Sequence, residues 1–356
     1  MAASPSSATA GPPPEPLPPA EALDRIVYLL DRGLQPSQKA RAFSNAAAIV
    51  RELGDAEVRR RVADGTLTEL DGIGDSTGTA IAQAVRGQVP EYQRRLEEST
   101  IIPLELDVGR AIRAALRGDC HMHSHWSDGG APIEAMARNA MALGHEYVVM
   151  TDHSPRLTVA HGLNRDRLLA QLDEIAALNE ALAPFRILTG IEVDILEDGA
   201  LDQDEDLLGR LDLVVASVHS KLRMDARAMT ERMVLAMASP HTDILGHCTG
   251  RMVKGRGRPP STFDADMVFA ACARFDKAVE INCRPERQDP PDDLLDLALE
   301  WGCKVSIDTD AHSPGQMEWQ NYGCDKAAAH GIEPDRIVNT WPADDLLSWC
   351  ASHSGG

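Results

Sequence analysis

Apolar positions follow two different rhythms along this 356-residue chain. From Glu21 to Ser99 they recur at helical spacing. Ile26, Leu29 and Leu30 share one face, Ala42 to Val50 forms a small-residue helix, and Gly33, Gly54 and Gly65 punctuate the segment. The spacing predicts a compact helical module over 21–99. Beyond Gly118 short apolar runs alternate with helical stretches. The runs are Tyr147–Met150, Ile187–Val193, Leu213–Val218, Ile244–Gly246, Ala278–Ile281 and Val305–Ile307, and periodic segments such as Leu168, Leu172, Ile175 and Leu182 lie between them. Buried strands alternating with helices predict an α/β fold, either a parallel β/α barrel or a doubly wound sheet, over 119–350. Residues 100–118 read as a connector with one amphipathic stretch, Val108 to Leu116. Residues 1–20 hold seven Pro among Ala, Ser and Gly, a composition that buries no core and predicts a disordered or polyproline-like tail.

Charge narrows the function classes. The formal net charge is -20, and most of it lies from Asp119 onward, so no whole-protein field draws in a polyanion and any nucleic-acid contact must be local. Seven Cys occur as singletons without a CxxC, which argues against a disulfide framework and a thiolate zinc site. There is no basic and apolar leader pattern, and no stretch approaches the ~20 apolar residues of a membrane span. A soluble, cytoplasmic protein without a membrane partner is expected.

The residues just past each predicted strand carry the chemistry, because reactive groups of β/α barrels cluster at the carboxyl ends of the strands. Asp119-Cys-His121-Met-His123 opens the domain, with Asp128 behind it. Tyr147–Met150 runs into Thr151-Asp152-His153, and Ile187–Leu188 leads to Glu192 and Asp194. Leu213–Val218 ends at His219, Ile244–Gly246 at His247, and Val305–Ile307 at Asp308-Thr-Asp310-Ala-His312. Imidazole and carboxylate are the ligands that hold zinc, manganese or iron. In HxH the two-residue period of a strand puts both side chains on one face, within reach of one ion. A single such histidine is more often structural than a ligand; the series at successive strand ends points to a metal site.

These residues resemble the polymerase and histidinol phosphatase (PHP) domain, in particular that of bacterial X-family DNA polymerases. The likeness runs from Gly118 to about Asp345 through His121-Met-His-Ser, Ser127-Asp-Gly, Thr151-Asp-His-Ser, Ala160-His-Gly-Leu-Asn164, Gly190-Ile-Glu-Val-Asp, Ser217-Val-His-Ser, His247-Cys-Thr-Gly-Arg, Glu280-Ile-Asn and Thr309-Asp-Ala-His-Ser. The resemblance implies a distorted seven-stranded (β/α)7 TIM-like barrel with two or three divalent ions (Zn, Mn or Fe). Its nine ligands carry over to His121, His123, Asp128, His153, Glu192, His219, His247, Asp310 and His312. Glu192 is then expected to bridge two ions, one also held by His121, His123 and Asp310 and the other by His219 and His247, while Asp128, His153 and His312 take a third. Catalysis would run through His121, His123, Glu192 and Asp310 by way of a metal-activated hydroxide, since closely spaced ions clamp phosphate oxygens and acidify a shared water. No Ser, Cys or Lys nucleophile is required, and Cys120 and Cys248 are expected to face away from the ligands.

Arg251, Lys254, Arg256 and Arg258 come after His247 within a loop broken by Gly255, Gly257, Pro259 and Pro260. The run is either a solvated basic loop or a holder of a substrate phosphate or nucleic-acid backbone. Asn282, Arg284 and His161 are further candidates for the substrate phosphate. The remaining histidines, His125, His145, His241, His330 and His353, read as structural or solvated.

The amino-terminal segment Leu67-Thr-Glu-Leu-Asp-Gly72-Ile73-Gly74-Asp75 with its adjoining helix resembles the helix-hairpin-helix of DNA polymerase beta relatives. Backbone N–H groups around Gly72, Ile73 and Gly74 are candidate contacts to a DNA phosphate, an ordinary helix-helix turn being the alternative. The module has 11 Lys/Arg against 13 Asp/Glu, with Asp75 at the turn, so any binding should be weak. Its second hairpin helix offers Ala80 and Ala84 where a lyase would need lysine. Only about 20 residues separate module and barrel, leaving no room for a polymerase palm and fingers. Three functions stay open: a phosphoesterase acting on DNA or nucleotide 3′ ends, a small-molecule phosphatase of the histidinol-phosphatase type, and a non-catalytic DNA-binding accessory protein.

Overall fold

The computed structural model describes residues 15–99 and 106–353, which fall into two units, residues 1–101 and 102–356. In the first unit four helices, α1 (Pro19–Arg32), α2 (Ser37–Asp64), α3 (Asp75–Val85) and α4 (Glu91–Glu98), close over one apolar cluster. Leu23, Ile26 and Leu30, spaced at three and four residues, turn one face of α1 inward against Phe43, Ala47 and Ile81. Helix α2 is broken at Gly54, whose φ of 75° and ψ of 159° few other residues could adopt. Helix α1 begins at Pro19, inside the stretch expected to be tail; the rest of that expectation, over residues 1–14, lies outside the described residues.

In the second unit the seven strands are β1 (Gly118–Met122), β2 (Tyr147–Met150), β3 (Arg186–Asp194), β4 (Leu213–Ser217), β5 (Ile244–Leu245), β6 (Ala278–Asn282) and β7 (Lys304–Asp308). They lie in sequence order and every pairing is parallel, which decides for the barrel over the doubly wound sheet. Closure comes from a parallel bridge between Met122 and Ala311, with His123 N–H donating to Ala311 O at 2.8 Å and Asp310 N–H to His121 O at 2.9 Å. The barrel is thus sewn shut at the strand ends that carry His121, His123 and Asp310. Strand β3 is the long one: Arg186–Thr189 pairs with β2 and Gly190–Asp194 with β4. Gly190 sits at that handover because a Cβ there would lie 2.6 Å from Val149 Cγ1 and 2.8 Å from Leu213 O.

The helices of this unit are α5 (Arg110–Ala115), α6 (Ile133–Ala142), α7 (Arg165–Leu182), α8 (Glu205–Leu208), α9 (Ala226–Ala238), α10 (Ala265–Arg274), α11 (Asp292–Glu300), α12 (Gln320–Ala329) and α13 (Ala343–His353). Most cover the outside. Met136, Ile175 and Leu182 pack on Val148, Met150 and Ile187, and Met229, Met233, Val268 and Phe269 on Val214, Ala216 and Leu245. Helix α13 packs Leu346, Trp349 and Cys350 against Tyr147, Leu213, Ile244 and Ala278. Each fully buried side chain of this size contributes on the order of 1.5–3 kcal/mol. The stretch expected as a connector belongs to this unit from residue 106: Ile112 and Leu116 are buried, and the Asp325 carboxylate accepts from the N–H groups of Asp107 and Gly109. Residues 100–105 lie outside the described residues. Among the described residues no helix is long and apolar enough to cross a membrane.

Candidate metal centre

All nine ligand positions converge at the carboxyl ends of the strands, and Glu192 is their hub. Its Oε1 lies 2.9 Å from His247 Nε2, 3.2 Å from His219 Nε2 and 3.4 Å from His121 Nε2; its Oε2 lies 2.8 Å from His153 Nδ1 and 3.6 Å from His123 Nε2. Asp310 Oδ1 comes 3.3 Å from His123 Nε2, and Asp128 Oδ1 sits 3.3 Å from His312 Nε2 and 3.5 Å from His153 Nε2. Donor atoms form three overlapping groups: His121, His123 and Glu192; His153, Glu192 and His219; and His123, Asp128, His153 and His312. Most of these side chains are buried, with Asp128 the open edge of the set.

Hydrogen bonding alone does not account for this packing. His121 Nδ1 lies 2.5 Å from Glu280 Oε1, a contact that directs the other ring nitrogen, Nε2, toward His123 Nε2, 3.3 Å away. Glu192 Oε2, His153 Nδ1 and both ring nitrogens of His219 crowd together, buried and without a well-aligned hydrogen bond, and Nδ1 of His123 and His247, the nitrogen other than the one facing Glu192, is unpaired as well. Imidazole lone pairs and carboxylate oxygens meeting in a buried space are a set that divalent cations fit. The backbone is held to the same end: His247 and Asp310 have φ of 21° and 51°, and Glu280 Oε2 fixes the first by accepting from His247 N–H at 2.5 Å.

The protonation preferences follow from the crowding. Burial opposes charge on His121, but Glu280 and Glu192 outweigh it and hold the imidazole well above its ordinary range. Burial likewise opposes charge on His219, yet Glu192 and Asp194 raise it to about 9. His123, buried and facing His312 and His153, is pushed down to about 3. Burial favours a protonated Glu192, which the surrounding histidines overcome, so its carboxyl stays well below the usual range. Asp310 does the same through Arg284, His123 and Arg287.

The other candidates divide. Arg284 touches the centre, its Nη1 donating to Asp310 O at 2.8 Å. Asn282 lies at the edge of the cluster: it is fully buried, and its amide nitrogen is shared between Glu280 Oε2 and Asp310 Oδ2, both at 3.2 Å. Arg251 donates from Nε and Nη2 to the backbone oxygens of Arg287 and Gln288, which staples two loops together. Lys254 and Arg256 are exposed at the turn of a short hairpin, and His161 is exposed with φ 56°; among the described residues none of the three touches a ligand. Cys120 and Cys248 are buried among apolar side chains. Of the remaining histidines, His330 pairs with Asp296 and His353 with Asp243, while His145 is buried and held down to about 3 by burial and Arg113.

In the first unit Gly72 has φ 85°, as a tight hairpin turn requires, and Ile73 is buried in the module core. Of the three expected phosphate contacts, two have their N–H groups engaged within the module. Ile73 N–H already donates to Leu70 O, and Gly74 N–H to Thr77 Oγ1 at 3.0 Å. Ala80 and Ala84 are buried, so neither position faces a ligand.

Two participants, Glu280 and Arg287, are not among the expected site residues, although Glu280 opens one of the motifs that carry the resemblance. Glu280 shares its strand face with Asn282 and orients both His121 and His247; the two-residue alternation of β6 is the signal that could have found it. Arg287 donates from Nε to Asp310 Oδ2 at 3.2 Å, and its Nη1 is buried without a partner. It lies in an irregular loop five residues beyond its strand, where no periodicity marks it.

Residues 119–243 match the PHP domain. Over 231 residues the chain is 38% identical to the DNA polymerase/3'-5' exonuclease PolX of Bacillus subtilis, a match that takes in 65% of this chain and 40% of the length of PolX. A probable phosphatase of Thermoanaerobacter is 28% identical over 232 residues, 61% of this chain and 89% of the relative. Among solved structures, histidinol phosphate phosphatase from Lactococcus lactis aligns with 61% of this chain and 92% of its own, at 20% identity and a TM-score of 0.41. The domain match ends at Asp243, ahead of His247, Asp310 and His312, which the structure nonetheless brings to the same cluster.

Proposed function

Since the chain carries a PHP domain, we propose that its barrel is a metal-dependent phosphoesterase with two or three ions, acting on DNA or nucleotide 3′ ends. The observation that carries this is the position of Glu192, whose two oxygens each face histidines from different strand ends. Glu192 would bridge two ions. His121, His123 and Asp310 would complete one site, His219 and His247 another, and Asp128, His153 and His312 a third. Bound there, zinc, manganese or iron supplies Lewis acidity and a water acidified toward neutrality. The protein's own groups do the rest. Glu280 holds His121 and, through its N–H, His247 in place. Arg287 and Arg284 sit beside Asp310 and balance the charge that gathers on a phosphoryl oxygen during attack.

The DNA reading is supported by the likeness to PolX; because the chain spans about two fifths of that relative, polymerase activity does not come with it. At the hairpin of the first unit the N–H groups of Asp75 and Ser76 open α3, where a helix start can meet a DNA phosphate, though the Asp75 carboxylate opposes it. A second reading, hydrolysis of a small phosphate ester, is favoured by the Thermoanaerobacter relative, of which 89% is matched. The third, a non-catalytic accessory protein, leaves nine assembled donors without a use. A cytoplasmic location fits seven buried free thiols.

The test is to offer metal-defined protein, with a His123→Ala control, end-labelled oligonucleotides and histidinol phosphate in parallel. Cleavage of the oligonucleotide that His123→Ala abolishes is the expected result; hydrolysis of the small ester alone would overturn the DNA reading.

A further inference from the structure

Charge is sorted by sector around the mouth of the barrel. The segment between β3 and α8 carries Glu197, Asp198, Asp202 and Asp204 and no Lys or Arg. The next two segments reverse the sign: Lys221 and Arg223 come after β4, against one acid, Asp225, before α9, and Lys254 and Arg256 lie in the longer loop after β5, which holds no acid before Asp264. This concentration stands out in a chain of net charge -20. All four cations are exposed, and among the described residues none has a carboxylate within ion-pairing distance. Among the exposed arginines of the same unit, Arg138 pairs with Glu134, Arg165 with Asp206 and Arg227 with Glu231, whereas Arg110, Arg210 and Arg274, set elsewhere on the unit, have no ion pair among the described residues.

The basic loops are joined to one another and to the metal centre. After β5 the chain folds into a hairpin in which Met252 and Arg258 exchange backbone hydrogen bonds of 2.9 Å, with Lys254 and Arg256 in the turn between them. Val253 N–H donates to Glu286 O at 2.6 Å, and Arg251 clasps the backbone of Arg287, so the hairpin is fastened to the loop that carries Arg287. Arg287 in turn holds Asp310. On the other side Ser261 Oγ donates to Leu222 O at 2.9 Å, setting the hairpin base against the loop of Lys221 and Arg223.

We propose that this ridge, from Arg287 past Lys254 and Arg256 to Lys221 and Arg223, is the track for the sugar-phosphate backbone of a nucleic-acid strand whose terminal phosphoester lies at the metal centre. Unpaired like charges on adjoining loops repel one another, and a polyanion laid along the ridge removes that repulsion. A small ester ends at Arg287 and gains nothing from the hairpin turn. The track therefore selects polynucleotides, and it rests on the nucleic-acid reading given above.

Two full-length double variants, Lys254→Ala/Arg256→Ala and Lys221→Ala/Arg223→Ala, test it against wild type on a single-stranded oligonucleotide and on bis(p-nitrophenyl) phosphate, with melting temperatures as the folding check. Each variant is expected to lose about ten-fold more kcat/KM on the oligonucleotide than on the small diester. Oligonucleotide binding, measured by fluorescence anisotropy, should fall less steeply with salt, the log–log slope dropping by about 0.7 for each phosphate contact removed. Equal losses on both substrates with an unchanged salt slope would overturn the track, while wild-type cleavage of the oligonucleotide would leave the nucleic-acid reading standing. A wild-type enzyme that hydrolyses only the small diester would overturn both.

Discussion

Glu280 Oε1 and His121 Nδ1 lie 2.5 Å apart in a fully buried pair, and that one contact decides which nitrogen of His121 faces the centre. The same carboxylate accepts from His247 N–H and from Asn282, so one strand-β6 side chain orients parts of two ligand-bearing segments.

Replacing Glu280 by Gln is therefore expected to weaken metal binding about 10–100-fold, the usual cost of losing an outer partner of a histidine ligand. Isothermal titration of the metal-free variant reads this directly. Activity recovered at excess metal would mark Glu280 as a positioning residue, whereas wild-type affinity would mean that it plays no part in holding the ligands.

Much of the centre was legible in the sequence because parallel strands deliver side chains with period two to one end of the barrel. HxH at His121 and His123 and DxH at Asp310 and His312 are direct products of that geometry. The contacts of Arg251 and Asn282 were not legible in this way. Proximity in sequence to a ligand position says nothing about where a guanidinium or amide finds its hydrogen bonds, and both make several inside the fold. The same limit applies to Gly74, whose N–H is taken up by Thr77, three residues on. Closure of the barrel through Met122 and Ala311 had no local signature either, because it depends on the register of the first and last strands.

Metal binding should release protons. In the metal-free protein His121 stands well above its ordinary range and His219 near 9, each lifted by carboxylates against the effect of burial. Each shift favours the protonated ring, and a proton must leave before the nitrogen can act as a ligand, so affinity is expected to rise with pH, for His219 through neutrality toward about 9. Calorimetric titrations in two buffers of different ionisation enthalpy should differ accordingly; identical heats would contradict the assignment of these two histidines.

Arg287→Ala is expected to lower kcat/KM by roughly 10²-fold, a loss typical of removing a charge-stabilising donor. Arg287→Lys should recover part of it, since charge returns without the planar guanidinium. Metal content measured on each purified variant separates this from damage to Asp310: a variant that keeps its metals but not its rate supports a contact to the phosphoryl group, and full activity in Arg287→Ala would rule it out.

The handover at Gly190 should be intolerant of a side chain. Gly190→Ala places a Cβ against Val149 and Leu213 O, and overpacking of this kind costs about 1–3 kcal/mol. Urea unfolding monitored by circular dichroism would show a lowered midpoint; an unchanged midpoint would mean that β3 accommodates the methyl group by shifting.

The bridging role of Glu192 is tested most directly by anomalous diffraction from crystals grown with manganese, collected at the manganese edge. At least two peaks are expected to flank the Glu192 carboxylate, one also within bonding distance of His121 and His123 and the other of His219 and His247. A map without peaks around Glu192, or with manganese bound only elsewhere on the protein, would contradict a metal centre built on that carboxylate.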